Sequence, residues 1–296
     1  MSASSLRERV RDEAVRLVDQ YPALSRRART VYKVVKRTYL QAAALGKRIA
    51  SKGEATQNIY HASIQRTGSR WIRRVFSDPR IQQYSGLWTY PQHEYEIRDH
   101  HDYFPKYTFV PGLYISYEQY LRIKKPEKYK TLYVIRDPRN VTISWYKSMR
   151  NTHKPVNESV DYYRKKFSKL GKKEGLIEAI KLYQVKISFM KDWYIQAKDA
   201  PNVLIVKFED VTRNPKKEFQ KIFDNCGIRI PKKILTEVVE DKSKSNMRNK
   251  DRRRRGRGKS DYGKDSTDWK ENFDSSHLKE FEKVNGKVVK IMGYKN

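Results

Sequence analysis

The chain has 296 residues, 38% hydrophobic and 12% aromatic, which is enough apolar content to bury a core and too much for a disordered basic tail. Lysine and arginine number 65 against 34 aspartates and glutamates, a formal net charge of +31, so an anionic partner is implied without choosing among nucleic acid, membrane surface, acidic sugar and phosphorylated ligand. The single cysteine, Cys226, excludes an intrachain disulfide and a cysteine-built metal cluster, and no apolar run is long enough for a spanning helix.

The N-terminal residues lack the apolar core of a signal peptide, and Glu8, Asp12, Glu13 and Asp19 argue against an organellar transit peptide. A cytoplasmic protein is therefore expected. Residues 1–58 carry 13 basic and 5 acidic residues, a surplus of +8. Within them Leu6, Val10, Ala14, Leu17 and Val18 recur at helical spacing, Pro22 interrupts, and Val31, Val34, Val35, Leu40 and Ala44 resume. This predicts a basic helical extension over 1–55, able to meet a membrane surface or a partner.

From residue 56 the pattern changes to short apolar runs alternating with helical periodicity, the signature of an α/β domain with a central parallel sheet flanked by helices. Strands are predicted at Ile59–Ser63, Tyr107–Val110, Thr131–Ile135 and Val203–Val206. Helices are predicted at Ser69–Phe76, from Pro138 through Met149, at Leu176–Ala197, from Asn214 to Cys226, and from Ser276 to Met292 with a weak middle at Asn285-Gly286. Residues 242–259 hold 10 basic residues and one acid, a surplus of +9. Like charges at that density repel, so a mobile basic loop over about 242–268 is expected until an anion binds.

Two segments carry chemistry. Ser63-Ile64-Gln65-Arg66-Thr67-Gly68-Ser69-Arg70-Trp71 joins a strand to a helix, so backbone N–H groups and the positive helix end converge on one point, with Thr67 and Ser69 adding hydroxyls and Arg66 a charged fork. It is not a Walker loop, because Gly-x-x-x-x-Gly-Lys-Ser/Thr is absent. In Arg136-Asp137-Pro138-Arg139-Asn140 through Ser144, Arg136 stands at a strand's C-terminal edge, where open α/β sheets bind ligands. Ser144 follows eight residues later, about two helical turns. An ordinary capped turn and a structural Arg136–Asp137 ion pair are the plainer readings of the two.

Together these segments resemble the sulfotransferase family that uses 3′-phosphoadenosine 5′-phosphosulfate (PAPS). The first is similar to its 5′-phosphosulfate loop and the second to its 3′-phosphate motif. Val206-Lys207-Phe208-Glu209-Asp210 resembles the strand whose aromatic residue lines the adenine pocket, and Asp268-Trp269-Lys270-Glu271-Asn272-Phe273 resembles the C-terminal Gly-Asp-Trp-Lys-x-x-Phe signature. The resemblance implies a P-loop-like fold over 56–296 and transfer of a sulfuryl group from PAPS to an acceptor hydroxyl. It further implies that Arg66, in place of the family's usual lysine, stabilises the departing nucleotide, and that Thr67, Gly68, Ser69 and Arg70 wrap the 5′-phosphate. Trp71 and Phe208 would flank the adenine. Arg136 and Ser144 would hold the 3′-phosphate, and Arg254, Arg255 and Gly256 would close over it.

The chain departs from the pattern at the catalytic base. No histidine follows Tyr107–Val110, which leaves His101 as first candidate, with His93, His100, Tyr114 and the carboxylate Glu118 as alternatives; His61 lies inside the first strand. Nothing in the sequence requires a metal. The expected acceptor is a glycan or glycolipid hydroxyl, because the charge suits an acidic polysaccharide or anionic headgroup; a small phenol or alcohol is the other option. Two rival readings are a basic nucleic-acid-binding protein, since Tyr162 and Tyr163 precede Arg164-Lys165-Lys166, and a P-loop kinase. No recognition module for a specific nucleic acid is visible.

Overall fold

The structure, a computed structural model, describes residues 22–53, 57–91, 104–152, 158–243, 246 and 267–295. Its frame is a five-stranded sheet in which every pairing is parallel. The strands are β1 (Asn58–Ser63), β2 (Trp88–Thr89), β3 (Thr108–Leu113), β4 (Tyr129–Ile135) and β5 (Val203–Lys207), in the order β2-β3-β1-β4-β5. The α/β expectation holds. Parallel strands covered on both faces should be apolar almost throughout, and β1 and β3 are buried at every residue.

Each face of the sheet packs its own layer. Tyr60, Ala62, Val110, Leu113, Tyr133 and Ile135 point to one layer, closed by α5 (Pro138–Lys147), α7 (Lys172–Ala197) and α12 (Ser275–Asn285). There Trp193 stacks on Tyr133 with ring centroids 4.3 Å apart. Ile59, Phe109, Leu132, Val134 and Val206 point to the other, closed by α2 (Ser69–Phe76), α9 (Pro215–Asn225) and α10 (Lys232–Asp241). Shorter helices complete the chain: α3 (Pro79–Ser85), α4 (Tyr117–Leu121), α6 (Glu158–Ser168), α8 (Phe208–Arg213), α11 (Trp269–Asn272) and α13 (Val288–Ile291). Helix α1 (Pro22–Ile49) lays Leu40 into the first layer and buries Ala44; residues 1–21 lie outside the described residues.

Three sequence expectations need correction. The second strand does not stop before Pro111-Gly112; β3 runs through to Leu113. Because β2 is only two residues long, no strand among the described residues pairs with the outer edge of β3 beyond Phe109, and a proline costs no ladder bond there. Gly112, at φ 66, takes up the register shift between Tyr60 and Ala62. The C-terminal helix is two helices, α12 and α13, broken at Gly286 (φ 58). The helix after Arg136-Asp137 ends at Lys147 and loosens into a π-helical turn, Ser148–Thr152.

Candidate active site

The C-terminal ends of β1, β4 and β5 lie side by side, and the motif residues sit just beyond them. After β1 the chain turns through Gln65 and Arg66 into α2. Arg66 has φ 75, a left-handed conformation that costs a non-glycine residue on the order of 1–3 kcal/mol and persists only when neighbours fix it. Two do so. Tyr183 on α7 donates to the Gln65 carbonyl (2.9 Å), and Arg136 donates to the Arg66 carbonyl (3.1 Å). The Arg66 side chain then reaches across to Ser144 on α5, Nε to Oγ 3.1 Å. Arg66, Arg136 and Ser144 are thus one cluster, although 78 positions separate its ends.

Gly68 stands at φ 85 before α2, and a Cβ there would overlap the Phe208 ring. The ring in turn lies 4.9 Å from the Arg136 guanidinium. The loop, the aromatic residue after β5 and the arginine after β4 therefore stack. Thr67 is buried with its hydroxyl donating to the Ile64 carbonyl (3.0 Å). Ser69 Oγ lies 2.9 Å from the Tyr114 hydroxyl. Trp71 is buried edge-on against Phe219, its ring N–H without a hydrogen-bond partner. Arg70 is exposed on α2 and is not drawn into the cluster. Arg254, Arg255, Gly256 and His101 lie outside the described residues.

The two arginines of Arg136-Asp137-Pro138-Arg139 behave differently. Asp137 caps α5 through the Arg139 N–H and forks onto the Arg139 guanidinium at 3.1 and 2.8 Å. That guanidinium also lies 3.8 Å over the Trp269 ring, while Asn140 accepts from the Trp269 N–H (2.8 Å). So the ion pair at the helix start is Asp137–Arg139, not Asp137–Arg136. Arg136 has no ion-pair partner among the described residues. Glu209, the nearest alternative, accepts from the Asp137 N–H (3.0 Å) and from the Tyr294 hydroxyl (3.1 Å). Burial lowers the Arg136 pKa; Glu209 opposes the shift and Arg66 adds to it. Its remaining partner is the Thr267 hydroxyl at 2.6 Å.

A half-buried guanidinium without a carboxylate partner favours an anion beside it. With a backbone cradle open only to glycine and an unpartnered indole N–H nearby on α2, these residues fit a phosphorylated nucleotide. Sequence reasoning missed Thr267, Tyr183 and the Glu209–Tyr294 brace. Thr267 directly precedes the Asp268-Trp269 motif; the others have no local signal.

Beside the cradle opens a groove of about 560 Å³, lined by Tyr114, Tyr117, Glu118, Phe189 and Asp192 among others. The Tyr114 hydroxyl joins it to Ser69. Glu118 lines the groove with an exposed side chain that pairs with Arg122 one turn on. His61 cannot serve as the base. It is fully buried, its Nδ1 accepts from the Gly112 N–H (3.2 Å), and burial, with a smaller contribution from Arg73, holds its pKa down at about 3.

A parallel sheet with backbone N–H groups converging at a strand-to-helix turn, and a half-buried arginine after the neighbouring strand, forms an α/β site whose chemistry suits a phosphorylated ligand. The family model described as "Sulfotransferase domain" matches residues 57–293, and the chain belongs to that family. It is 29% identical to sulfotransferase 1A1 of Canis lupus familiaris over 125 residues, 42% of this chain and 39% of that protein. It is 24% identical to sulfotransferase 1C2 of Homo sapiens over 121 residues, 40% of this chain and 37% of that protein. The aligned stretch thus spans about two-fifths of the length of these relatives. Among solved structures, mouse sulfotransferase SULT7A1 complexed with PAP matches with a TM-score of 0.55 at 18% identity, covering 83% of this chain and 89% of that one, and confirms the fold.

Proposed function

We propose that the chain transfers the sulfuryl group of PAPS to a hydroxyl of a sugar-bearing acceptor, a glycan or glycolipid. The observation that carries the donor half is the half-buried, carboxylate-free Arg136, clustered with Arg66 and Ser144 against the Gly68–Phe208 stack. Arg136 and Ser144 would hold the 3′-phosphate. The Gly68 turn and the start of α2 would receive the 5′ end, and Trp71 and Phe208 the adenine. When bound, PAPS supplies an activated sulfuryl group, and Arg66 offsets the charge that grows on the leaving side. Arg254, Arg255 and Gly256 would close over the nucleotide.

The acceptor half rests on the groove. Aromatic Tyr117 and Phe189 offer flat apolar faces, and Glu118, Asp192 and Gln196 offer acceptors for several hydroxyls, which suits a sugar ring. Tyr114 orients the acceptor oxygen at the Ser69 end. Glu118, or His101, takes the proton.

The test is incubation with labelled PAPS and a panel of glycans, glycolipids, phenols and alcohols, read by transferred label. A sulfated sugar, lost in R66A and R136A, is expected. Transfer only to phenols or alcohols would overturn the acceptor assignment. Unchanged binding of 3′-phosphoadenosine 5′-phosphate by both variants would overturn the donor site, and magnesium-dependent ATP binding instead would favour the kinase reading.

A further inference from the structure

The nucleotide cluster holds two hydroxyls in the same electrical situation. Ser144 Oγ accepts from the Arg66 Nε–H (3.1 Å), and Thr267 Oγ1 accepts from Arg136 Nη2 (2.6 Å). A guanidinium can only donate, so each oxygen is the acceptor and each hydroxyl keeps its own proton to give elsewhere. Among the described residues neither hydroxyl has an acceptor for that proton. Accepting from a cation polarises the O–H bond and makes it a stronger donor. Two such hydroxyls, each on an arginine, have the chemistry of an anion site.

Thr267 is placed by the same helix that carries Ser144. Just after it, the Trp269 N–H donates to Asn140 (2.8 Å), and the Trp269 ring lies 3.8 Å from the Arg139 guanidinium. Both contacts are to α5, and Asp268 caps α11 through the Lys270 N–H (3.1 Å). The backbone at Thr267 is therefore tied to α5 and its hydroxyl to Arg136. The other terminal nitrogen of Arg136, Nη1, is held by the Arg66 carbonyl at 3.1 Å. A hydrogen bond on each terminal nitrogen fixes the fork in one orientation, 4.9 Å from the Phe208 ring, and leaves further N–H groups for a ligand. The signature that Asp268-Trp269-Lys270 resembles begins with glycine where this chain has Thr267, so the hydroxyl is not part of that pattern.

We propose that Thr267 has two tasks at the 3′-phosphate: it fixes the Arg136 fork, and it donates its own proton to a phosphate oxygen, as Ser144 does. This rests on the reading of Arg136 and Ser144 as holders of the 3′-phosphate, and it adds to them a specificity residue outside both nucleotide motifs. Preference for a 3′-phosphorylated nucleotide over the plain 5′-monophosphate then depends on the segment that leads into α11. A Thr267 that only satisfied a half-buried arginine would support both nucleotides equally. A Thr267 that stood in the phosphate's place would weaken binding, and its removal would strengthen it.

The test is calorimetry of the full chain and of its T267V, T267A, T267S and R136A variants, each with 3′-phosphoadenosine 5′-phosphate and with adenosine 5′-phosphate. T267V keeps the side chain's shape and removes the hydroxyl; the position is half-buried, so neither it nor T267A opens a core cavity. Affinity for 3′-phosphoadenosine 5′-phosphate should fall roughly tenfold or more in T267V and T267A, with adenosine 5′-phosphate binding unchanged and T267S within about twofold of the parent chain. Equal losses for the two nucleotides would make Thr267 structural and overturn the proposal. So would unchanged or tighter binding of 3′-phosphoadenosine 5′-phosphate in T267V and T267A, or a T267S that does not restore it. R136A separates this from the reading beneath it. A preference for the 3′-phosphate that R136A loses and T267V keeps would overturn the role of Thr267 alone. A parent chain without that preference, or an R136A that keeps it, would overturn both.

Discussion

The donor cradle and the neighbouring groove meet at one hydrogen bond, Ser69 to Tyr114, yet are built on opposite plans. The cradle is set by backbone, which brings the Arg66, Arg136 and Ser144 side chains together. Its groups are fixed by a left-handed Arg66, a glycine pressed on Phe208 and carbonyls held by Tyr183 and Arg136. The groove is made of side chains from α4 and α7, open to solvent and mixed in charge. A phosphorylated ligand of fixed shape can be met by rigid donors arranged in advance. A surface of side chains can change without disturbing the first.

The sharpest way to break the contrast is to exchange the fates of the two motif arginines. R139A should destabilise the fold by about 3–5 kcal/mol in urea unfolding, because it strands buried Asp137. R136A should leave the unfolding midpoint near that of the parent chain, since the half-buried charge it removes has no carboxylate partner and Tyr183 still holds the loop, while 3′-phosphoadenosine 5′-phosphate binding measured by calorimetry drops at least hundredfold. If R136A were the destabilising variant, Arg136 would be structural and the cradle misassigned.

Next in size, G68A should displace Phe208 and cost nucleotide affinity about tenfold, with little effect on how an isolated acceptor binds. In the groove, Y114F should lower kcat several-fold without changing nucleotide affinity. A nucleotide Kd that moves with it would mean the two regions are not separable.

The smallest expected effect lies away from both. Asp78 accepts from the Arg80 N–H and guanidinium and meets Lys242 at 2.8 Å. Burial raises its pKa, but the Arg80 and Lys242 hydrogen bonds prevail and set it at about 2. A carboxylate depressed in the folded state contributes stability above its ordinary pKa, and that contribution fades as pH falls from about 3.8 toward 2. D78N should flatten the stability–pH curve in that window and leave neutral-pH nucleotide binding unchanged.

The difference in plan also decides what could be read from the sequence. The cradle was legible because backbone sites need particular residues at fixed local spacing, as in Arg66-Thr67-Gly68-Ser69 and Arg136 to Ser144. The groove was not, because Tyr117 and Phe189 come from helices about 70 residues apart and neither type nor spacing marks them. The strand across Pro111-Gly112 was hidden by a rule that holds for interior strands. Only the brevity of β2, a tertiary fact, lifts it. The partner of Asp137 was not legible for a related reason: whether it turns to the arginine before or after it depends on Trp269, which covers Arg139 from the far end of the chain.

The left-handed backbone at Arg66 separates two pressures that usually act together on one residue. Glycine would sit at that φ without steric cost and asparagine with little, while arginine does not. Foldability alone favours another residue at position 66, so under the proposed function the arginine is kept there for its guanidinium. Members that have lost transfer activity but kept the fold should therefore show relaxation first at this residue, so the identity of residue 66 serves as a marker of whether the chemistry is still in use.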